Sequence, residues 1–376
     1  MNNVKILHTA DIHIGAADSF LNNDARQRQF ETLLTFERII DLAKERSVDL
    51  VLIAGDLFDS NKIESRFVDA VFEKITSANP VKVVFAAGNH DPLSSDSPFL
   101  TRTLPENLYV LPAKESSLHF DELNLSVWGK SFESVYLKGG DRFGITPDGE
   151  RINIMVQHGE LKSDLSSNYN AITPNFIKTS KMDYIALGHV HKRTPIGKIE
   201  GTSFAYCGCP EGQGFDELDE KGVYVGEIDK NNCQLEFVEV AKRRHIFEKI
   251  NIEGLSSGEE IATHILNILK EKFGANFGDN LYKLHLVGKL PETTEIYCDE
   301  IKSRIENSLY FVKIKDMTEV DIDLSAMSEE ISLKGIFVRR MLNKINAAAE
   351  TDKPLLQEAL NIGLKAFSRE VKYDED

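Results

Sequence analysis

Five apolar runs in this chain end in Asp, Asn or His: "TADIHIG", "AGDLFD", "AGNHDP", "VQHGE" and "LGHVHKR". Turns after strands favour Asp and Asn, so a soluble chain is expected to show one or two such endings. Five of them, carrying five of the ten histidines (His13, His90, His158, His189 and His191), call for a shared purpose. The segments between them indicate the scaffold. "VKILHTA" reads as a strand, "ARQRQFETLLTFERIIDLAKERS" has the three-and-four apolar spacing of a surface helix, and "VDLVLIAGD" is a continuously apolar, buried strand. Helical "RFVDAVFEKITSA" and the strand "PVKVVFAAGNHD" follow. This alternation predicts right-handed crossovers on a sheet whose ligands sit beyond the carboxyl ends of the strands. Three further strand candidates, "LHFDELNLSVWGKSF", "RINIMVQHGE" and "MDYIALGHVHKR", and a hairpin from "KGVYVGEID" and "CQLEFVEV" extend it to an α/β sandwich of mixed sheets with helices outside.

A chain of 376 residues, 41% hydrophobic, is long enough for one large domain and a smaller one. The pattern changes near residue 240. Residues 241–325 alternate strands and helices ("HIFEKINIE", "GEEIATHILNILKEKFG", "LYKLHLVGKL", "EIYCDEIKSRIENS", "LYFVKIKD") without clustered His or Asp, as a small α/β domain. Residues 326–376 read as two helices broken near Lys353-Pro354, the first with an apolar stripe of Leu333, Ile336, Phe337, Met341 and Ile345. Such a stripe packs onto its own domain or receives a partner, and the sequence leaves both open.

Composition excludes several classes. No apolar run approaches the roughly 20 residues of a membrane span, and "MNNVKILHTAD" lacks the parts of a signal peptide, so a cytoplasmic protein with no membrane association is expected. Cys207, Cys209, Cys233 and Cys298 form neither a disulfide framework nor paired zinc knuckles, and Cys207 and Cys209 are expected to be packed or turn thiols. A net charge of -16 argues against a smooth, non-specific nucleic-acid binder. It does not exclude a nucleic-acid enzyme, because clustered carboxylates are what divalent cations require.

Asp11 and His13 are two apart, and so are His189 and His191; on an extended backbone each pair leaves from one face. Asp56 follows Gly55, whose missing Cβ lets a loop approach closely. Imidazole, carboxylate and amide oxygen together suit Mn, Fe or Zn. If the Asp56 carboxylate bridges, two ions about 3.5 to 4 Å apart clamp the attacking and departing oxygens of a phosphoryl transfer. His119, His245, His264 and His285 lack such company and read as surface or packing residues, and His8, inside the first strand, as a satisfied core histidine. Asp91 either orients His90 or caps its turn, and the turn is favoured. Arg66, Lys192, Arg193 and Lys198 are the candidates for flanking phosphates.

"DIHIG", "GDLFD", "GNHD", "QHGE" and "GHVH" resemble the five signature blocks of the calcineurin-like metallophosphoesterases, and in wording those of the SbcD-type DNA repair exonucleases. The resemblance implies a four-layer metallophosphoesterase sandwich over residues 1–240, a capping domain over 241–325 that helps orient DNA, and a C-terminal region over 326–376 that docks an SbcC-like coiled-coil ATPase. It implies Asp11, His13, Asp56 and His191 on one metal and Asp56, Asn89, His158 and His189 on the other. Manganese is usual, with Fe, Zn or Mg as alternatives. His90 would be the catalytic acid that protonates the leaving oxygen while a metal-activated hydroxide attacks in line. The activity implied is exonuclease or endonuclease action on DNA ends in repair and recombination, by a protein that forms a homodimer. A phosphodiesterase or phosphatase for a small nucleotide or phosphomonoester is the alternative. Ile12, where tryptophan is common, and Cys207 and Cys209 depart from the usual SbcD wording.

Overall fold

The alternation of apolar and amphipathic segments becomes a largely parallel sheet, because each strand offers apolar side chains to both of its faces. The computed structural model describes residues 3–16, 25–140, 144, 147–218, 220–291 and 293–368. The chain divides into two units, one ending at Arg244 and the other beginning at His245.

The first unit opens with β1 (Val4–Thr9), α1 (Ala25–Glu45), β2 (Leu50–Ile53), α2 (Ser65–Ser77), β3 (Lys82–Phe85), the one-turn α3 (Pro98–Thr101) and β4 (Leu108–Val110). It continues with β5 (Ser116–Phe120), β6 (Leu125–Gly129), β7 (Leu137–Gly140), β8 (Ile152–His158), β9 (Glu160–Leu161), β10 (Tyr169–Ile172) and α4 (Pro174–Ser180). Then come β11 (Tyr184–Gly188), β12 (Gly197–Ile199), β13 (Thr202–Tyr206), β14 (Gly222–Ile228) and β15 (Cys233–Glu239). One six-stranded sheet has the order β15-β14-β1-β2-β3-β4 and the other β12-β13-β11-β8-β6-β5; a small sheet, β7-β10-β9, stands beside them. β1 to β4 are parallel neighbours, as are β6, β8, β11 and β13.

Successive residues of a strand point to opposite faces, which accounts for the continuous apolar runs. Leu7, Val51 and Val83 meet Phe36 and Ile39 of α1 and Phe67 and Val71 of α2. Their neighbours Ile6, Leu52 and Val84 face Val127, Ile154 and Ala186 of the second sheet. The outer face of that sheet, with Met155, Ile185 and Leu187, is covered by Phe176 and Ile177 of α4. Helix, sheet, sheet, helix makes four layers, and each fully buried side chain contributes roughly 1.5–3 kcal/mol.

One strand reading is corrected. "LHFDELNLSVWGKSF" is two antiparallel strands, β5 and β6, joined by a turn at Asp121–Leu123. Its polar DELN interrupts the alternation, and Asn124 takes the left-handed conformation (φ 49°) that asparagine tolerates.

In the second unit, β16 (His245–Asn251), α5 (Gly258–Phe273), β17 (Leu281–Val287), β18 (Lys289–Leu290), α6 (Cys298–Ile305), β19 (Phe311–Asp316) and β20 (Glu319–Val320) precede three helices. β16, β17 and β19 form a parallel sheet, with Ile261, Ile265 and Ile301 of α5 and α6 packed over Ile250, Leu284 and Ile314. The helices are α7 (Leu324–Ser328), α8 (Leu333–Ala347) and α9 (Lys353–Ser368). They share a core of Met327, Val338, Ile345, Leu360 and Leu364. Lys365 pairs with Asp316 at 2.8 Å, and the Asn361 amide donates to the Thr318 carbonyl at 2.7 Å. The apolar stripe is therefore divided. Phe337, Met341 and Ile345 pack inside this core, whereas Leu333 and Ile336 are 74% and 43% exposed. The expected end of the last helix, residues 369–371, lies outside the described residues. Among the described residues no helix is long and apolar enough to cross a membrane.

Candidate metal centre

The carboxyl ends of β1, β2 and β3 in one sheet and of β8 and β11 in the other bring the five polar strand endings together. The loop after β1 runs along the loop after β2: the backbone N–H groups of Asp11, Ile12 and His13 donate to Gly55 and Asp56 carbonyls at 2.9–3.0 Å. Asp11 and His13 are not on extended backbone. Both are left-handed, at φ 52° and 50°, as are Asp56 at 51° and His189 at 96°. The expected strand-like geometry is thus corrected, since the pairs converge through a tight, strained turn rather than by alternation. Non-glycine residues held there cost of order 1–3 kcal/mol each and cluster at functional sites.

Two glycines make room. A Cβ on Gly55 would sit 2.3 Å from His158 Nδ1, and one on Gly88 would sit 2.2 Å from Asp56 Oδ1. Asp91 ties the loops from beneath. Fully buried, it accepts from the backbone N–H groups of Leu57 (2.7 Å), Gly88 (2.8 Å), Phe58 (3.1 Å) and Asp56 (3.2 Å). It therefore holds the turn, as favoured from the sequence.

The side chains form two groups of acceptors. In the first, His13 Nδ1 faces Asp59 Oδ1 at 3.2 Å and His191 Nδ1 faces Glu217 Oε1 at 2.5 Å. With both Nδ1–H groups donating outward, the Nε2 lone pairs point at each other across 3.2 Å. Asp11 completes this group, its carboxylate also accepting the His189 N–H at 2.9 Å. In the second, His158 Nδ1 donates to the Ala54 carbonyl at 2.8 Å, leaving Nε2 3.0 Å from Asn89 Oδ1 and 3.3 Å from Asp56 Oδ2. His189 Nδ1 lies 3.1 Å from the same Asn89 oxygen. Asp56 Oδ2 also stands 3.8 Å from His13 Nε2, so its carboxylate lies between the groups.

Lone pairs converging in a dry site repel unless a proton or a cation sits among them. The carboxylates here favour positive charge. Burial opposes charging His158, yet the Asp56 and Asp11 carboxylates outweigh it and carry its pKa up to about 9. Burial alone would raise Asp56, but His158 and His13 hold it well below the usual carboxylate range. Burial, aided by His158, pushes His189 down to about 4, leaving it neutral and able to ligate. The residues therefore fit divalent ions: oxygen and imidazole donors only, in two groups that share one carboxylate.

His90 is the exposed member. Its ring lies edge-on to His13, with centroids 4.6 Å apart. Its backbone N–H donates to Asp56 Oδ1 at 2.8 Å, and its Nδ1 donates to the Asp59 carbonyl at 3.0 Å, which leaves Nε2 available. His8 is a satisfied core residue, bonded to the Tyr184 hydroxyl and the Leu187 carbonyl. Among the basic candidates, Arg66 lies over Phe30 and Phe67 and pairs with Glu64. Arg193 lies 4.0 Å over Phe237 and faces Glu220 at 3.9 Å. These partners are outside the cluster, and Lys192 and Lys198 are exposed.

The sequence reading missed Asp59 and Glu217. Asp59 closes the "GDLFD" block, and Glu217 sits in the polar "GFDELDE", which follows no apolar run. Glu217 also accepts from the Cys209 thiol at 3.2 Å and the Gln213 N–H at 3.0 Å. His191, Cys209 and Glu217 are joined by hydrogen bonds, the imidazole and the thiol both donating to the Glu217 carboxylate, and burial with the Glu217 charge pushes the Cys209 thiol far up. The segment is anchored by a buried ionic network: Arg28 binds Glu31, Glu211 and the Gly212 carbonyl, and Arg243 binds Glu31.

Comparison with known families matches residues 4–193, half of the 376-residue chain, to the calcineurin-like phosphoesterases. The chain belongs to the calcineurin-like phosphoesterases. This phosphoesterase is 27% identical over 287 residues to the DNA double-strand break repair protein Mre11 of Methanopyrus kandleri, covering 70% of this chain and 62% of that one. It is 27% identical over 251 residues to the uncharacterized metallophosphoesterase YhaO of Bacillus subtilis, covering 63% and 60%. It is 24% identical over 282 residues to one subunit of the SbcCD nuclease of Escherichia coli K12, covering 63% and 67%. The chain thus spans about three fifths of the length of the first two relatives.

Proposed function

We propose that this metal-dependent phosphoesterase is a DNA nuclease that hydrolyses phosphodiester bonds at a dinuclear centre. The observation that carries the hydrolytic reading is the pair of convergent acceptor groups flanking the Asp56 carboxylate. Asp11, His13, Asp56 and His191 would hold one ion, and Asp56, Asn89, His158 and His189 the other. Manganese is the proposed metal. Bound there, the ions would supply Lewis acidity to a phosphoryl oxygen and activate the attacking water.

The chain's own residues supply the rest. His90 Nδ1–H is held on the Asp59 carbonyl, so Nε2 can carry a proton to a leaving oxygen beside the cluster. Its exposure lets a substrate reach it. DNA as substrate is supported by the double-strand break repair protein and the nuclease component among the relatives. Residues 241–325 are proposed to cap the substrate. The exposed half of the α8 stripe, Leu333 and Ile336, is proposed as the docking face for an SbcC-like ATPase, and a homodimer is proposed as the assembly.

The test is manganese-dependent release of nucleotides from a labelled duplex, run beside hydrolysis of para-nitrophenyl phosphate at matched metal and protein concentrations. DNA cleavage is expected. Full activity on the small ester with no detectable DNA cleavage would refute the nuclease reading and leave a small-molecule phosphoesterase.

A further inference from the structure

The two groups of acceptors differ in what stands behind their imidazoles. Behind His13 and His191 stand carboxylates, Asp59 Oδ1 at 3.2 Å and Glu217 Oε1 at 2.5 Å. Behind His158 stands the neutral Ala54 carbonyl at 2.8 Å. Behind His189, Glu160 Oε1 lies 3.9 Å from Nε2, beyond hydrogen-bond reach, and Glu160 is itself engaged by Ser167 Oγ and Lys162. A carboxylate accepting from the far nitrogen of a ligating imidazole fixes its tautomer and raises its basicity, and losing such a partner typically costs 10–100-fold in metal affinity.

Glu217 is well placed for that task. It is mostly buried, it accepts from the Cys209 thiol and the Gln213 N–H, and Lys221 Nζ stands 3.8 Å away while donating to the His191 carbonyl at 3.2 Å. Its carboxylate is held from several sides and cannot follow His191 if the ring turns. Asp59 acts from a different element, the loop after β2, and has two separate contacts: its carbonyl positions His90 while its carboxylate faces His13.

Resting on the dinuclear reading above, we infer that the two cation positions are inequivalent, and that Glu217 and Asp59 act as positioning residues that make the Asp11–His13–His191 position the tighter one, filled first. The Asn89–His158–His189 position is the weaker, filled second. At limiting divalent metal the protein then holds one ion per chain, and the second position reports the free metal concentration.

The test is manganese binding to the full chain after chelator stripping, followed by loss of the free Mn(II) electron paramagnetic resonance signal. The native chain should bind two ions in two affinity classes. Asp59→Asn and Glu217→Gln should each weaken the tight class about 10-fold or more and leave the weak class in place. Asn89→Ala should weaken only the second class. Asp59 is exposed enough that its substitution tests the idea without disturbing the network around Glu217. Two equal affinities, or a tight class unmoved in both carboxylate variants, would overturn the inference while sparing the dinuclear reading. Fewer than two ions on the native chain would overturn both.

Discussion

Replacing Asp91 with asparagine changes no outline and removes one acceptor. The carboxylate takes four backbone N–H groups: Leu57 and Phe58 on Oδ2, Gly88 and Asp56 on Oδ1. An amide can keep one pair on its oxygen but must turn an NH2 toward the other, placing donors against donors in a fully buried site. Hydrogen bonds to a charged acceptor are worth about 1.5–3 kcal/mol each. Losing two of them predicts a destabilisation of roughly 3–6 kcal/mol. For a unit of this size each kcal/mol moves Tm by about 2–4 °C, so Tm should fall by roughly 6–24 °C. Calorimetry of native and Asp91→Asn chains, both stripped of metal, measures this directly. A loss below about 1 kcal/mol would show that the four N–H groups find other acceptors and that Asp91 is not the tie between the loops.

Glu31 should make stability depend on pH. Burial alone would raise its pKa, but hydrogen bonds from Arg243 and Arg28 outweigh it and hold it at about 2, against an ordinary 4.5. The residue is only 1% exposed, so solvent screens these bonds little. The contribution is present above pH 4.5 and lost as pH falls from 4.5 through 2; it amounts to about 3 kcal/mol. Denaturation of Glu31→Gln should differ from native at pH 7 and converge toward it below pH 4.5. Gly55→Ala should cost roughly 2–5 kcal/mol, from a left-handed φ of 90° and a Cβ driven into His158, and should also lower bound metal; an unchanged Tm would contradict the packing. His90→Asn should keep its metal content and lose about 10²–10⁴-fold in turnover, whereas loss of metal would make His90 a ligand.

The layered fold was legible because its signals are local. Pairs such as Ile6 and Leu7, or Val83 and Val84, are apolar on both sides and demand cover on two faces. The convergence of Asp11, His13, Asp56, Asn89, His158, His189 and His191 was legible because each follows an apolar run. Its geometry was not. Strand spacing assigned Asp11 and His13 to one extended face, while the structure bends them through left-handed backbone, a choice set by the bonds to the Gly55 and Asp56 carbonyls. Glu217 was invisible for a related reason. It reaches His191 across 26 residues of loop and strand, and nothing in "GFDELDE" separates that carboxylate from those of the exposed Asp216 and Glu220. Arg66 and Arg193 lie over aromatic rings of their own surroundings, a preference that adjacency to a motif does not reveal.

The central claim is a dinuclear centre in which Asp56 serves both ions. Its most direct test is the metal content of native and Asp56→Asn chains after manganese loading and removal of free metal, measured by plasma mass spectrometry. Two ions per native chain and nearly none in the variant are expected. Two ions retained in Asp56→Asn, or none in the native chain, would contradict it.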